Sequence, residues 1–478
     1  MTMALSLSPH GTSANIHRII GAFQRAFSAL EVPVKPLELE RCSVLVHEAM
    51  GGRGRLFHRA EHIFDIAAGT RDPLETLAIL FHDVVYVQVD GALPSAVVPL
   101  IAEAMHFDAG AYRVAAVDKA HDPVAAMVFQ VFGVSPGQTL SPASGLSELL
   151  SALVAARQLA PILPASSWVQ VVACIEATIA FRDRDVSGKG PFDRLAERLS
   201  ALAESPGTPG SWSSAAIVET VQRAVRVANG DVGNFAEEDP AEFLDETWKL
   251  LPESNPALYT PTSYTIRQYR AALCKMEALL SALTPARVFH QWQGVPDDAT
   301  YQAFLSKAQR NLDMAGRYLR AKLYATALLE AIAASSGGDA PLELFTGALP
   351  MHDDGPALRR IDDFLPTPIC DDPAAIDPEL LRLLADGRAT ETTFDLRASP
   401  ISAFLLQALG EARLAEGVGS AHAFFAGGLS ALGFLRSQRS PALDGLIAAA
   451  REMATTRTDL LRALLGELEA APPSAPAT

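Results

Sequence analysis

Along most of the chain apolar residues recur at steps of three and four, and runs that alternate every second residue are scarce, so the pattern predicts an all-α protein. The helical spacing is plainest in TSANIHRIIGAFQRAFSAL (12–30), SELLSALVAARQLA (147–160), AAIVETVQRAVRVAN (215–229), SYTIRQYRAALCKMEALLSAL (263–283) and residues 301–335. Pro/Gly punctuation separates these blocks, as in SPGTPGS around residue 207. The run VFGVSPGQTLSPASG (131–145) reads as loop, either an active-site flap or an insertion. The clearest break in composition covers residues 335–378, rich in Gly, Pro and Asp. The expected organisation is therefore a helical domain over 1–335 with an insertion at about 90–145. A linker (336–378), a C-terminal helical accessory domain (379–468) and a disordered tail (469–478) follow. No repeat of fixed period is evident.

Charge and cysteine usage narrow the function. Lys plus Arg number 39 and Asp plus Glu 55, a formal charge of −16 that repels phosphate backbones and anionic lipid and disfavours non-specific nucleic-acid binding. Cys42, Cys174, Cys274 and Cys370 lie far apart without a C-x-x-C pair, which fits a reducing, cytoplasmic setting better than a disulfide scaffold. The N-terminus lacks a signal-peptide pattern, and no stretch approaches the roughly 18 uninterrupted apolar residues of a membrane span.

The chemistry concentrates in LFHRAEHIFDIAAGTRDPLETLAILFHDVVYVQVD (56–90). His58 and His62 are four apart on a predicted helix and so share a face, where their lone pairs could meet a metal or a phosphate. A second helix carries His82 and Asp83 just after LAILF, where two polar residues cost burial energy unless something binds them. Other His-Asp pairs have weaker contexts: His121-Asp122 precedes a proline and reads as a helix end, and His352-Asp353 lies in a solvated turn.

This segment resembles the HD superfamily of metal-dependent phosphohydrolases, closest to an uncharacterised bacterial branch. The residues that carry the likeness are FHRAEH, FHDVVY, SELLSA at 147–152 and CIEATIAFR at 174–182. The chain departs from that branch in having Phe57 for a tyrosine, Ser147 for an asparagine, and a long insertion between Tyr86 and Glu148. The resemblance implies an HD-like helical bundle whose metal ligands are His62, His82, Asp83 and a later aspartate. VRVANGDVGNF (225–235) offers Asp231 for that place, with Asn229 in reserve, although an Asn/Asp/Gly cluster is also a usual helix end followed by a turn.

Two imidazoles and two carboxylates suit a divalent ion (Mn, Fe, Co, Mg, Ni or Zn, one or two per chain) that leaves positions for water and substrate. Supporting catalytic roles are assigned to Glu176, Glu148 and His58, and substrate contacts to Arg182, Asn229 and Asn234. Each has a plainer alternative: a solvent-facing glutamate, a surface salt bridge, or a capped amphipathic helix beginning at Ser147. His121 is a weaker candidate for a second metal, and GGRGR (51–55) reads as a flexible basic loop that could steer a phosphate. No G-x-x-x-x-G-K-[ST], G-x-S-x-G or H-E-x-x-H pattern appears.

The expectation is a cytoplasmic, metal-dependent phosphohydrolase acting on a nucleotide or other small phosphoester. It has no membrane partner, and its C-terminal helices could mediate homo-oligomerisation. Two alternatives stay open: an HD-type di-iron oxygenase, which needs more ligands than four, and a non-catalytic nucleotide-sensing or regulatory protein.

Overall fold

The computed structural model describes residues 9–91, 93–108, 110–205, 212–259, 264–347, 359–369 and 376–470. Cys370, the His352-Asp353 pair, the SPGTPGS turn from residue 206 on and the tail beyond residue 470 lie outside the described residues. Helices dominate, as the apolar spacing predicts, and none of those described is long and apolar enough to cross a membrane.

The chain divides into two compact units, residues 1–236 with 284–308 and residues 237–283 with 309–478. This differs from a single domain over 1–335. The long helix Asp298–Ser335 continues unbroken past residue 308, and residues 237–283 pack with the later chain rather than with the early helices. The Gly/Pro/Asp-rich stretch is also partly folded, with a helical turn at Glu343–Thr346 and a 3-10 turn at Ile361–Asp363.

The first unit contains α1 (Pro9–Ala29), α2 (Pro36–Met50), α3 (Ala60–Ala68), α4 (Pro73–Phe81), the short α5 (Val87–Asp90) and α6 (Val98–Ile101), α7 (Pro123–Phe132), α8 (Leu146–Leu159), α9 (Ala165–Ala177), α10 (Pro191–Glu204) and α11 (Ser214–Asp231). At its centre α9 packs against α4, α7, α8, α10 and α11. Both α4 and α9 are apolar on nearly every side, as expected of helices surrounded by others. The start of α4 is defined locally: Pro73 opens it, and the Asp72 side chain accepts from the backbone N–H groups of Leu74 and Glu75 at 2.8 and 3.2 Å.

The insertion at about 90–145 carries a small sheet and a helix. Its strands β1 (Met105–Asp108), β2 (Ala111–Val114) and β3 (Thr139–Leu140) form an antiparallel sheet in that order, and α7 lies between β2 and β3. Asp122 caps α7, accepting from Ala125 N at 3.0 Å, so the His121-Asp122 pair stands at a helix end as its proline suggested. Residues 131–145 therefore include the end of α7, β3 and a 3-10 turn at Pro142–Ser144.

The second unit is also helical. Its core holds a buried charge cluster in which Asp395 Oδ2 accepts from Trp248 Nε1, Tyr269 OH and Lys322 Nζ, each at 2.8 Å. Its long helix Pro400–Phe425 bends at Gly410, whose φ of 74° is open to glycine at little cost.

Candidate metal centre

Three elements of the first unit deliver the candidate ligands. Helix α3 carries His62 in its first turn, and buries Ile63 and Phe64. His58 is not on that helix. Its neighbour Arg59 is extended at φ −109° and ψ 177°, so the helix begins at Ala60 and the shared-face reading of His58 and His62 is corrected. The reason is a tight turn in which Arg59 N donates to Phe57 O and Arg59 Nε to Arg55 O.

Helix α4 ends at His82. The His82 backbone N–H still bonds to Ala78 O, and its ring Nδ1 lies 2.8 Å from Ile79 O. A carbonyl only accepts, so Nδ1 carries the proton and, in the neutral ring, Nε2 presents a lone pair to the centre.

Helix α11 brings Asp231. Arg223 Nε meets Asp72 Oδ2 at 2.8 Å and Arg226 Nε meets Glu75 Oε1 at 2.6 Å, pinning α11 to the start of α4. Three residues after Asp72 comes Glu75, three after Arg223 comes Arg226, and Asp231 then meets His82; the two helices run side by side in the same sense. Gly230 allows the close approach to α3, since a Cβ there would lie 3.1 Å from Ile66 Cγ2.

One ligand atom from each of His62, His82, Asp83 and Asp231 lies within 4.8 Å of the others, a grouping able to hold a metal ion. Asp231 Oδ1 is 3.1 Å from His62 Nε2 and 3.2 Å from His82 Nε2. Asp83 Oδ2 is 2.9 Å from His82 Nε2 and 4.0 Å from His62 Nε2. Asp83 Oδ2 is buried, and the His82 Nε2 it faces is shared with Asp231 Oδ1. Two carboxylates and two imidazole nitrogens converging on one point, with a single ring nitrogen shared between both carboxylates, form a donor set that fits a divalent cation.

The cluster is strongly coupled in the absence of an ion. Burial opposes charge on His82, but the Asp83 and Asp231 carboxylates override it and hold the imidazole well above its ordinary value. Burial likewise opposes charge on Asp83 and Asp231, but His82 above all holds both down, Asp231 to about 2.

The other expected site residues divide. Glu148, on α8, is near enough to the cluster to feel it: burial pushes its carboxyl up to about 7, the Asp83 and Asp231 charges add to this, and its own backbone hydrogen bond and Arg182 oppose it. Its Oε2 is buried without a hydrogen bond. His58 lies beside the centre, its ring 4.1 Å from that of Tyr86 and 6.0 Å from that of His62. Glu176 is committed elsewhere. Fully buried, its Oε1 accepts from Arg182 Nη1 and Arg198 Nη2, each at 2.6 Å, while Oε2 has Arg182 Nη2 at 3.4 Å, so the carboxylate is paired with two arginines.

Asn229 is likewise committed: its amide donates to His290 O at 2.8 Å and accepts from His290 N at 2.9 Å, a two-point latch on backbone in place of a substrate contact. Asn234 sits half-buried in the 3-10 turn Gly233–Ala236. His121 is exposed and bonded to Asp118 at 2.7 Å.

Sequence reasoning missed the support beneath the ligands. In GGRGR, Arg55 is wholly buried rather than in a flexible basic loop, because its guanidinium meets both Asp90 oxygens at 2.7 Å and the Asp83 carbonyl at 2.6 Å. Asp90 Oδ2 also accepts from Tyr86 N. Ser151 Oγ takes Val85 N at 3.1 Å, and Ser147 Oγ takes Val87 N at 3.3 Å, so α8 holds the chain just after the His-Asp pair. Ser147 is thus a clasp inside α8, whose N-cap is Gly145. The only signal was compositional: small hydroxyls in an apolar helix and a lone arginine between glycines.

No family model matches this chain, and neither the curated proteins nor the solved structures provide a match.

Proposed function

We propose that this chain is a metal-dependent phosphohydrolase of the HD type, acting on a nucleotide or another small phosphoester. The observation that carries the reading is the meeting of His62, His82, Asp83 and Asp231 around one point, with both carboxylates turned to the same His82 nitrogen. A divalent ion bound by these four residues supplies a Lewis acid toward a phosphoryl oxygen and a more acidic water. The chain's own groups do the rest. The Ile79 carbonyl keeps the proton on His82 Nδ1 and so keeps Nε2 free to ligate. Glu148 Oε2, raised toward neutrality, gives or takes a proton beside the centre. Arg55 sets the position of Asp83 through its backbone.

The di-iron alternative needs additional ligands, and Glu176 and His121, two of its candidates, are engaged by arginines and by Asp118. The deciding experiment is elemental analysis of the purified protein, with a screen of phosphoesters in the presence of Mn, Mg, Co, Fe and Ni. Bound metal and hydrolysis that both disappear in a His82→Ala/Asp83→Ala double variant uphold the proposal. Two irons per chain with oxygen consumption favour the oxygenase, and a folded, metal-free double variant with full biological activity favours the regulatory reading.

A further inference from the structure

Apart from the four-residue centre, the first unit contains a cleft of about 690 Å³ lined from residues 182–193 and 286–301. In a chain of formal charge −16, this cleft gathers three guanidinium groups, Arg182, Arg184 and Arg287, against two carboxylates, Asp183 and Asp193. Both carboxylates are engaged. Asp183 Oδ1 lies 2.8 Å from Arg287 Nε, and Asp193 accepts from Trp292 Nε1 and Gly190 N at 2.9 Å each.

Of these cations Arg184 keeps donors for a ligand. Arg182 points both Nη atoms at Glu176 and its Nε is buried, so it lends the cleft its charge and not a contact. Arg184 is exposed and spends only Nη1, on Gly188 O at 3.0 Å. The His290 backbone is latched by Asn229 on both sides, which fixes its ring against Phe192 at 5.2 Å and leaves the imidazole without a hydrogen bond among the described residues. Burial, then Arg182 and Arg184, hold that imidazole down to about 4, so it is neutral at pH 7.

We propose that this cleft binds the phosphoryl oxyanion of a small organic phosphate, with Arg184 and His290 contacting the anion, Arg182 adding its charge from behind, and Trp292 and Tyr301 flanking the organic part. The choice of phosphate among oxyanions rests on the phosphohydrolase reading; the anion preference rests on the arginines alone. Arg182 also acts on Glu148, so the cleft and the metal centre share a neighbour.

The test is calorimetric titration of the full chain, as purified and at low salt, with AMP, inorganic phosphate and adenosine. The expected result is saturable binding of AMP and phosphate, none of adenosine, and about tenfold weaker AMP binding in Arg184→Gln. Arg113→Gln, an exposed strand arginine outside the cleft, leaves the affinity unchanged. AMP binding more tightly than phosphate assigns an organic phosphate; equal affinities assign the free anion to the same oxyanion site. The site is overturned if neither anion binds, if adenosine binds as well as AMP, if Arg184→Gln binds AMP as the wild type does, or if Arg113→Gln weakens binding as Arg184→Gln does. Metal-dependent hydrolysis persisting without cleft binding removes this inference alone, whereas cleft binding without metal or hydrolysis removes the phosphohydrolase reading alone.

Discussion

Arg55 Nη1 donates to the backbone carbonyl of Asp83 at 2.6 Å, so a buried guanidinium holds the residue that follows His82 beyond the end of its helix. The same guanidinium closes a two-point pair with Asp90, and both partners are shielded from solvent. Arginine is required there because its planar fork serves a carboxylate and a carbonyl at once, which a lysine ammonium does not.

Arg55→Ala is expected to destabilise the protein by about 3–5 kcal/mol, because it leaves the Asp90 charge buried without its partner. Denaturant unfolding measures the loss, and elemental analysis of the folded fraction should show reduced metal. Unchanged stability would contradict the pairing.

Removing bound metal with a chelator is expected to lower the melting temperature, since an ion that binds only the folded chain stabilises it by mass action. Returning a divalent ion should restore the transition in the wild type. In Asp231→Asn it should not, at the same ion concentration. Equal recovery in both proteins would separate Asp231 from the centre.

The metal-free protein has a defined pH response. His82 is held above 6.5, so its stabilising share is whole below that value and is lost as pH rises through the folded value. Asp83 and Asp231 are held below 3.8, so their share is whole above it and is lost as pH falls through their folded values. Glu148, raised from 4.5 to about 7, costs stability as pH climbs across that interval, because the unfolded chain ionises first. Calorimetry should therefore find the metal-free chain less stable at about pH 8.5 than at about pH 5.5. Glu148→Gln should recover about 1–3 kcal/mol at the alkaline end. A wild type and a Glu148→Gln variant with parallel pH curves would show that Glu148 is not perturbed.

Asn229→Ala is expected to cost about 1–3 kcal/mol, because it deletes both hydrogen bonds to the His290 backbone and leaves those groups short of partners. Metal content should stay at the wild-type level. A variant with wild-type stability but a raised KM would instead return Asn229 to the substrate role.

Much of the centre was legible in one stretch of sequence. His82-Asp83 after an apolar run, and His62 one helix earlier, stand out because polar residues beside LAILF need a reason to be there. Asp231 was legible more weakly, as a polar end on an amphipathic helix. Glu176 was not, because a glutamate in an apolar helix looks the same in sequence whether it faces water or two arginines.

By itself the sequence determined the helical class and the residues able to ligate, since these follow from spacing and side-chain chemistry within a few positions. Only the tertiary structure decided which of them meet. Arg55 with Asp90, Arg223 with Asp72 and Asn229 with His290 are pairings across tens of positions or more. The physical reason is burial: a charged or polar side chain excluded from water takes its role from whichever partner the packing of other helices brings within reach.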